Sequence, residues 1–355
     1  MANGSFFVPD PELIVKDRPI PYSLYINSSA LEGREHYVRI FPKGESLSSH
    51  EYEQLKEKYL QVYLSETDRG EYLKAACTHF GKSEAEQVMI LKSSAMHHLD
   101  SIFSTKADLS VDIVNQTLVG CRQTVEGFVT LLRGHDLTSL HELIGSLSFH
   151  DFYTYDHSIN VSMYCILIYQ LLQPDASEQQ IVNAGMGGFM HDIGKIKIPN
   201  RILNKVGRLT EDEFKEIQMH PTYGRDYLMQ NGVKAPAGAE LDLIRDVVYQ
   251  HHENFDGTGY PNKLAGENIQ LLARVTAVAD FFDAITTKRS YADALSVEEA
   301  LNVMNRTTGK KLDPRIFDQF LSHMQKKYVE KACNVHLPSD FDPCQPHAKF
   351  KRLAS

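Results

Sequence analysis

From about Leu140 to Lys331 the sequence repeats its apolar residues at the spacing of an α-helix, and this pattern limits the fold more than any other feature. Apolar residues between Val275 and Ile285 recur at intervals of three and four, so this segment has one continuous apolar face. Capping-box pairs, in which Ser or Thr precedes Glu or Gln by three residues, mark helix starts near Ser177, Thr210 and Ser296. The pattern predicts an all-helical domain, and the fold as a whole is predicted to be mainly α.

The first 76 residues have a different pattern. Short β-branched or aromatic runs at Tyr22–Ile26 and Tyr37–Phe41 predict strands, and Glu51–Tyr59 predicts a helix. We therefore predict a small α/β module preceding the helical domain. The predicted segments are this module at 1–76, a helical connector at 77–146, the main helical domain at 147–331 and a C-terminal tail at 332–355.

Composition and charge exclude several classes of protein. No apolar run approaches the roughly 20 residues that a membrane-spanning helix needs, and the N-terminus lacks the pattern of a signal peptide. Five widely spaced cysteines without a C-x-x-C pair are typical of free thiols in a reducing compartment. A formal net charge of −9 argues against nonspecific binding to a nucleic-acid polymer. The predicted location is the cytoplasm, without membrane association.

Histidine and aspartate are placed unusually within the helical domain. Between residues 151 and 322 the histidines are His157, His191, His220, His251 and His252. Asp192 follows His191 directly, and Asp280 and Asp283, which are three residues apart, share one face of an apolar helix. Such carboxylates are costly there unless they are paired or bind a metal. Imidazole together with carboxylate suits a divalent metal such as Zn, Mn or Fe.

Each of these features has a plainer explanation when it is taken singly. His-Asp and His-His pairs are common on solvated helix faces, and we expect this for His97 and His98. The loop from Asp256 to Pro261 could be a plain surface turn, and Lys195 alone predicts a solvated lysine at the end of a helix. The association of all the features within one helical domain is what favours a metal site.

Four motifs together resemble one known family. They are H-D-I-G-K at 191–195, H-P-x-x-G at 220–224, H-H-E-x-x-D-G-x-G-Y-P at 251–261 and V-A-D-x-x-D-A at 278–284. Their order and spacing, over about residues 147–325, resemble the HD-GYP group of the HD phosphohydrolase superfamily. The segments Y-T-x-x-H-S, ending at Ser158, and I-P-x-x-I-L-x-K at 198–205 are similar to it as well. The α/β module at 1–76 resembles the variable regulatory or sensory modules that precede such domains.

The resemblance implies an enzyme, a phosphodiesterase that hydrolyses cyclic di-GMP or a related cyclic dinucleotide to the linear dinucleotide or GMP. It implies two divalent transition-metal ions, with Fe or Mn expected first and Ni or Zn also suitable. Lys195 and Asp192 would be catalytic, with Asp192 bridging the metals. Gly259, Tyr260, Pro261 and Arg289 would bind the substrate. The implied metal ligands are His157, His191, Asp192, His220, His251, His252 and Asp280.

The chain departs from the family pattern at three positions, one of which is Ser290, where the family usually has a proline after Arg289. Tyr153 stands where members with a third metal carry Glu, so two metals are expected. Ala292 stands where the family usually has a second basic residue after Arg289, and one phosphate-binding cation is therefore missing. That absence keeps open a low-turnover cyclic dinucleotide receptor or a signalling-interaction protein on the same fold. Another HD phosphohydrolase, acting on a nucleoside triphosphate, is disfavoured by the G-Y-P loop.

The resemblance also bears on partners. It implies that other cyclic di-GMP signalling proteins could bind through the G-Y-P loop, in addition to the cyclic dinucleotide itself. The sequence does not determine the oligomeric state, and a homodimer stays open.

Overall fold

The structure, a computed structural model, describes residues 6–29, 36–59, 61–80, 83–103, 110–146, 153–203, 205, 207–287, 294–325, 335–336 and 351–352. The chain divides into two compact units. One comprises Met1–His98 and Gln116–Leu131, and the other comprises Leu99–Asn115 and Leu132–Ser355. The domain boundaries that we place at 76/77, 146/147 and 331/332 stay predictions.

The N-terminal part of the first unit is a small α/β module, as the sequence predicts. Its elements are β1 (Phe6–Phe7), β2 (Arg18–Pro19), β3 (Leu24–Asn27), β4 (Tyr37–Phe41), β5 (Ser46–Leu47), α1 (Ser49–Lys58) and β6 (Leu64–Ser65). Three antiparallel pairs form, β1 with β6, β2 with β5 and β3 with β4. The predicted strand Tyr37–Phe41 matches β4 at both ends.

Four helices follow the small module: α2 (Arg69–Phe80), α3 (Glu84–Phe103), α4 (Val111–Leu131) and α5 (Leu137–Ser146). The prediction of a solvated histidine pair on α3 is wrong for His98, whose side chain is buried. A Cβ built on Gly120 would lie 2.0 Å from the His98 ring, so the ring lies directly on α4. The side chain of His97 lies outside the described part of the chain. A two-residue pattern cannot reveal such packing, because it depends on the partner helix.

The second unit is helical, and the predicted fold class is confirmed. Its remaining helices are α6 (Tyr153–Leu172), α7 (Glu178–Met190), α8 (Asn200–Leu203), α9 (Glu211–Ile217), α10 (His220–Leu228), α11 (Leu241–Gln250), α12 (Leu271–Thr286), α13 (Val297–Thr307) and α14 (Pro314–Gln325). A two-stranded pair, β7 (Val335–His336) with β8 (Lys351–Arg352), completes it. The three predicted capping boxes begin α7, α9 and α13.

Three of these helices form the centre of the second unit. Every residue from Asp156 to Tyr169 on α6 is buried, and so is every residue from Ile181 to Met190 on α7. On α12 all residues from Val278 to Ile285 are buried. Helices without a polar face must be covered on all sides, and α6 packs against both α7 and α12. Polar side chains on these helices are therefore held deep in the core.

The apolar run Val161–Leu172, too short to cross a bilayer, lies within α6. Among the described helices, none combines the length and the apolar character that crossing a membrane requires.

Gly194 has a different function from the one its position suggests. As a residue after an apolar helix it predicts a helix stop, but α7 already ends at Met190 and Gly194 lies inside a 3₁₀ helix, Ile193–Lys197. A Cβ on Gly194 would lie 1.9 Å from the carbonyl oxygen of His220 and 2.5 Å from the amide nitrogen of Gly224. Glycine at 194 therefore permits close approach of the 3₁₀ helix to α10, and brings Asp192 beside His220.

Gly194→Ala is expected to destabilise the protein by about 1–3 kcal/mol, because the methyl group must push apart two backbone segments. Thermal unfolding of the purified chain measures the change. Gly145→Ala is the matched control, since a Cβ there meets nothing within 4 Å and alanine stabilises a helix interior. Equal melting temperatures for wild type and Gly194→Ala would contradict the close approach.

Candidate metal centre

The site is assembled from the ends of buried helices. His157 lies in the first turns of α6, and His191 with Asp192 directly follows α7. His220 begins α10, and His251 with His252 follows α11. Asp280 lies on α12. All seven side chains are buried, and His252 is the most exposed of them at 7%.

The seven side chains meet around Asp192. The potential ligand atoms form two groups, and within each group all of these atoms lie within 4.8 Å of one another. One group contains Asp192, His220, His251 and His252, and the other contains His157, His191 and Asp192. Asp192 belongs to both groups. Asp280 joins the second group through its Oδ1, which lies 3.1 Å from Nε2 of His157.

The two oxygens of Asp192 face different partners. Oδ1 lies 3.3 Å from Nε2 of His220 and 4.0 Å from Nε2 of His251. Oδ2 lies 3.2 Å from Nε2 of His191 and 3.9 Å from Nε2 of His157. A carboxylate with one oxygen toward each of two imidazole groups has the arrangement needed to bridge two cations.

Three histidines direct an unprotonated nitrogen into the cluster. Nδ1 of His191 donates to the carbonyl of Gly188 at 2.7 Å, and Nδ1 of His220 donates to Ile217 at 2.7 Å. Nδ1 of His251 reaches the carbonyl of Val248 at 3.0 Å. A neutral ring that donates through Nδ1 presents a lone pair at Nε2.

These lone pairs are not satisfied by the protein. Nε2 of His220 and Nε2 of His251 lie 3.1 Å apart, although two lone pairs cannot form a hydrogen bond to each other. Nε2 of His191 and Oδ1 of Asp192 are buried without a hydrogen-bond partner. Buried acceptors that converge in this way are costly without a cation. The donor set therefore fits a divalent metal site.

The protonation states suit metal binding. Burial lowers the pKa of His220 to about 4, and burial also lowers the pKa values of His251 and His252 well below the usual range. For Asp192, burial raises the pKa, but His191, Lys195 and His220 outweigh it and hold the pKa well below that of an ordinary aspartate. At neutral pH these groups are neutral imidazoles and a carboxylate, which are the forms that ligate metals.

His157 is oriented by a carboxylate that the predicted ligand set omits. Its Nδ1 lies 2.7 Å from Oδ2 of Asp283. The other oxygen of Asp283, Oδ1, accepts hydrogen bonds from Asn160 and Thr287, each at 3.0 Å. Burial lowers the pKa of His157, but the hydrogen bonds to Asp280 and Asp283 raise it to about 9. Asp283 thus fixes the ring with Nε2 toward the cluster. Its three-residue spacing from Asp280 is the sequence signal for this shared face.

Lys195 contacts the carboxylate at the centre of the site. Its Nζ lies 2.5 Å from Oδ2 of Asp192, and the side chain is partly buried. The 3₁₀ helix that follows Asp192 causes this contact, because the amide of Lys195 donates to the carbonyl of Asp192 at 2.9 Å. The structure therefore brings together the two residues predicted to be catalytic.

The predicted G-Y-P loop folds back over the His251–His252 pair. The Tyr260 ring stacks on the His252 ring, with centroids 4.9 Å apart and 22° between the planes. A Cβ on Gly259 would lie 2.1 Å from the amide nitrogen of Asn254, so only glycine fits at this close approach. The loop backbone thus lies against the backbone that follows the histidine pair, with the Tyr260 ring on His252.

Glu253 holds the loop in this position, and our ligand set does not contain it. Its buried carboxylate accepts hydrogen bonds from the amides of Asn262 at 2.6 Å and Leu264 at 3.0 Å. The only sequence signal for this residue is its place directly after the histidine pair.

A cavity of about 260 Å³ opens beside the cluster. It is lined by Phe214, Gln218, His251, His252, Glu253, Asn254, Thr258, Tyr260, Ala277, Asp280, Phe281, Lys311 and Leu312. Binding sites for small molecules usually measure about 300–1,000 Å³, so this volume suits part of a nucleotide ligand.

Some predicted site positions lie outside the described residues. These are Arg289, predicted to bind substrate, and Ala292, where the second basic residue is missing. The side chain of Tyr153, at the position of the third-metal carboxylate, lies outside them as well.

The sequence matches the HD domain family over residues 143–316. A cyclic di-GMP phosphodiesterase of Pseudomonas aeruginosa is 43% identical over 173 residues, which are 48% of this chain and 39% of that protein. A 3′3′-cGAMP-specific phosphodiesterase of Vibrio cholerae is 32% identical over 167 residues, covering 47% of this chain and 31% of its own length. The chain thus spans well under half the length of these curated relatives.

A solved structure agrees in fold. An HDG"Y"P protein from Bdellovibrio bacteriovorus superposes with a TM-score of 0.55 at 16% identity, covering 90% of this chain and all of that one.

Proposed function

We propose that the chain, which matches the HD domain family over residues 143–316, belongs to the HD-GYP group of that family and is a metal-dependent phosphodiesterase acting on cyclic di-GMP or a related cyclic dinucleotide. The observation that carries the proposal is the shared carboxylate: Asp192 belongs to two buried groups of potential ligands, with Lys195 in contact with it. The names of the relatives supply the class of substrate.

Two divalent transition-metal ions would be held by the seven buried residues, with Asp192 between them. His220, His251 and His252 would hold one ion, and His157, His191 and Asp280 the other. Fe or Mn is proposed first, while Ni and Zn also suit imidazole-rich sites. When bound, such ions generate a nucleophile from water near neutral pH and neutralise charge on phosphate oxygens.

The protein's own side chains would then position and stabilise the reacting groups. In the hydrolysis, a water oxygen forms a bond to phosphorus, one P–O ester bond breaks, and the released ribose oxygen takes up a proton. Lys195, in contact with Asp192, would stabilise the charge that develops on the phosphate and on the leaving oxygen. The G-Y-P loop, held by Glu253, would exclude bulk water on the side of His252. The products would be the linear dinucleotide and, after a second hydrolysis, GMP.

A receptor of low turnover is the second candidate function. The observation that favours it is the alanine at 292, which removes a basic residue expected beside the ligand. Such a protein would bind the cyclic dinucleotide at the same site but release it unchanged.

A product assay decides between the candidates. The purified full chain, loaded with Mn or with Fe, is incubated with cyclic di-GMP, with 3′3′-cGAMP and with GTP, and the products are separated by chromatography. We expect linear dinucleotide or GMP from a cyclic dinucleotide and no hydrolysis of GTP. Binding without product would favour the receptor, and hydrolysis of GTP alone would contradict both candidates.

A further inference from the structure

One of the residues that line the cavity beside the cluster is a lysine that no motif indicates. Among the residues that line it in the described part of the chain, Lys311 alone carries a fixed positive charge. We propose that Lys311 binds the phosphodiester of the cyclic dinucleotide that is not being hydrolysed. This inference rests on the proposed function and adds a residue that determines affinity for that substrate class.

The backbone of Lys311 is held next to the G-Y-P loop. Its carbonyl accepts a hydrogen bond from the amide of Phe255 at 3.1 Å, and its own amide donates to Thr307 at 2.8 Å. The neighbouring carbonyl of Lys310 accepts from Asp256 at 2.8 Å. The turn that carries Lys311 and the loop that carries Tyr260 therefore form one hydrogen-bonded unit, and the side chain of Lys311 has a fixed origin at the cavity.

The charge of the ligand explains why a cation is needed there. A cyclic dinucleotide contains two phosphodiesters, each with one negative charge. Only one of them can lie at the proposed metal cluster during hydrolysis. The other must approach the rest of the cavity wall, which contains the carboxyl group of Glu253. The ammonium of Lys311 would offset this repulsion. Lys311 belongs to a different segment of the sequence from Ala292, where the expected basic residue is absent.

Lys310 provides a matched control for Lys311. It has the same charge, is adjacent in the sequence and is exposed, but does not line the cavity. Lys310→Ala and Lys311→Ala therefore change the net charge equally while only the second removes a cation from the cavity. Lys311→Arg keeps the charge and serves as the conservative variant.

The experiment compares two substrates that differ in their number of phosphodiesters. Cyclic di-GMP has two, whereas bis(p-nitrophenyl) phosphate has one and cannot use a second binding site.

For Lys311→Ala we expect KM for cyclic di-GMP to rise about tenfold, the effect of losing one hydrogen bond to a charged group. The Kd of a hydrolysis-resistant phosphorothioate analogue, measured by calorimetry, should rise equally. The kcat for cyclic di-GMP and the kcat/KM for bis(p-nitrophenyl) phosphate should stay within about threefold of wild type, because neither the chemical step nor a substrate with a single phosphodiester uses Lys311.

Lys310→Ala should match wild type on both substrates, and Lys311→Arg should retain most of the affinity. The increase in KM for Lys311→Ala should shrink at high salt, because ions screen a partly exposed charge pair. Equal KM values for Lys310→Ala and Lys311→Ala would overturn the inference. An equal loss on both substrates would overturn it too, because it would show general damage to the site.

Failure of the proposed function looks different. A wild-type protein that cleaves bis(p-nitrophenyl) phosphate but neither binds nor cleaves a cyclic dinucleotide would contradict the proposed substrate class, and the inference with it. A wild-type protein that hydrolyses cyclic di-GMP while Lys311→Ala behaves like wild type would overturn the inference alone.

Discussion

Asp192→Ala is expected to lower kcat for cyclic di-GMP by at least about 1,000-fold, because metal ions contribute several kcal/mol to the transition state and each 1.36 kcal/mol is a factor of ten. Both oxygens of Asp192 face imidazole nitrogens, and the side chain belongs to both groups of potential ligands. Its loss should therefore release at least one of the two proposed ions. Elemental analysis of the purified variant measures the metal, and steady-state kinetics measures kcat.

Asp175→Ala is the control for this variant, since it removes an exposed carboxylate from the same unit. Circular dichroism establishes that both variants are folded. A folded Asp192→Ala protein with the metal content of wild type would contradict the bridging role. Normal metal content with lost activity would place Asp192 in catalysis without metal binding.

Lys195→Ala is expected to lower kcat by about 100- to 1,000-fold, the usual effect of removing one group that stabilises developing charge. KM should change by less than about threefold, because the contribution of the ammonium grows as charge develops in the transition state. Metal content should not fall, because Lys195 is a cation in contact with Asp192 and its removal lessens repulsion toward a metal. Steady-state kinetics and elemental analysis of the same preparation check both statements.

Lys197→Ala is the control for the second variant. Lys197 lies in the same 3₁₀ helix and is exposed, with its ammonium over the ring of Tyr227 at 4.9 Å from the centroid. It should keep the kcat of wild type. If Lys195→Ala raised KM and left kcat unchanged, Lys195 would bind the ground state of the substrate and would not stabilise the transition state.

The helices of the second unit and the potential metal ligands could be predicted from the sequence. Helical periodicity and capping boxes are properties of residues three or four apart, and α7, α9 and α13 begin where the sequence indicates. The ligand candidates lie in motifs whose order along the chain is itself the signal. Their roles in metal binding stay a prediction, although the structure brings all seven together.

Other features could not be predicted, because they depend on segments that are distant in the sequence. Gly194 was predicted to stop a helix, but its function is to let a 3₁₀ helix approach α10. His98 was predicted to be solvated, but it is buried against Gly120. In each case the decisive neighbour is more than 20 residues away, beyond the range of any local pattern.

The type and approximate limits of the helices, a set of candidate metal ligands and the resemblance of the helical domain to a known family all follow from the sequence alone. Only the tertiary structure decided which oxygen of Asp192 faces which histidine, that Asp283 orients His157, and that Lys311 lies at the same cavity as Tyr260. The physical reason is that backbone periodicity arises between near neighbours. The direction of a buried side chain, in contrast, is set by close packing among helices that the sequence keeps apart.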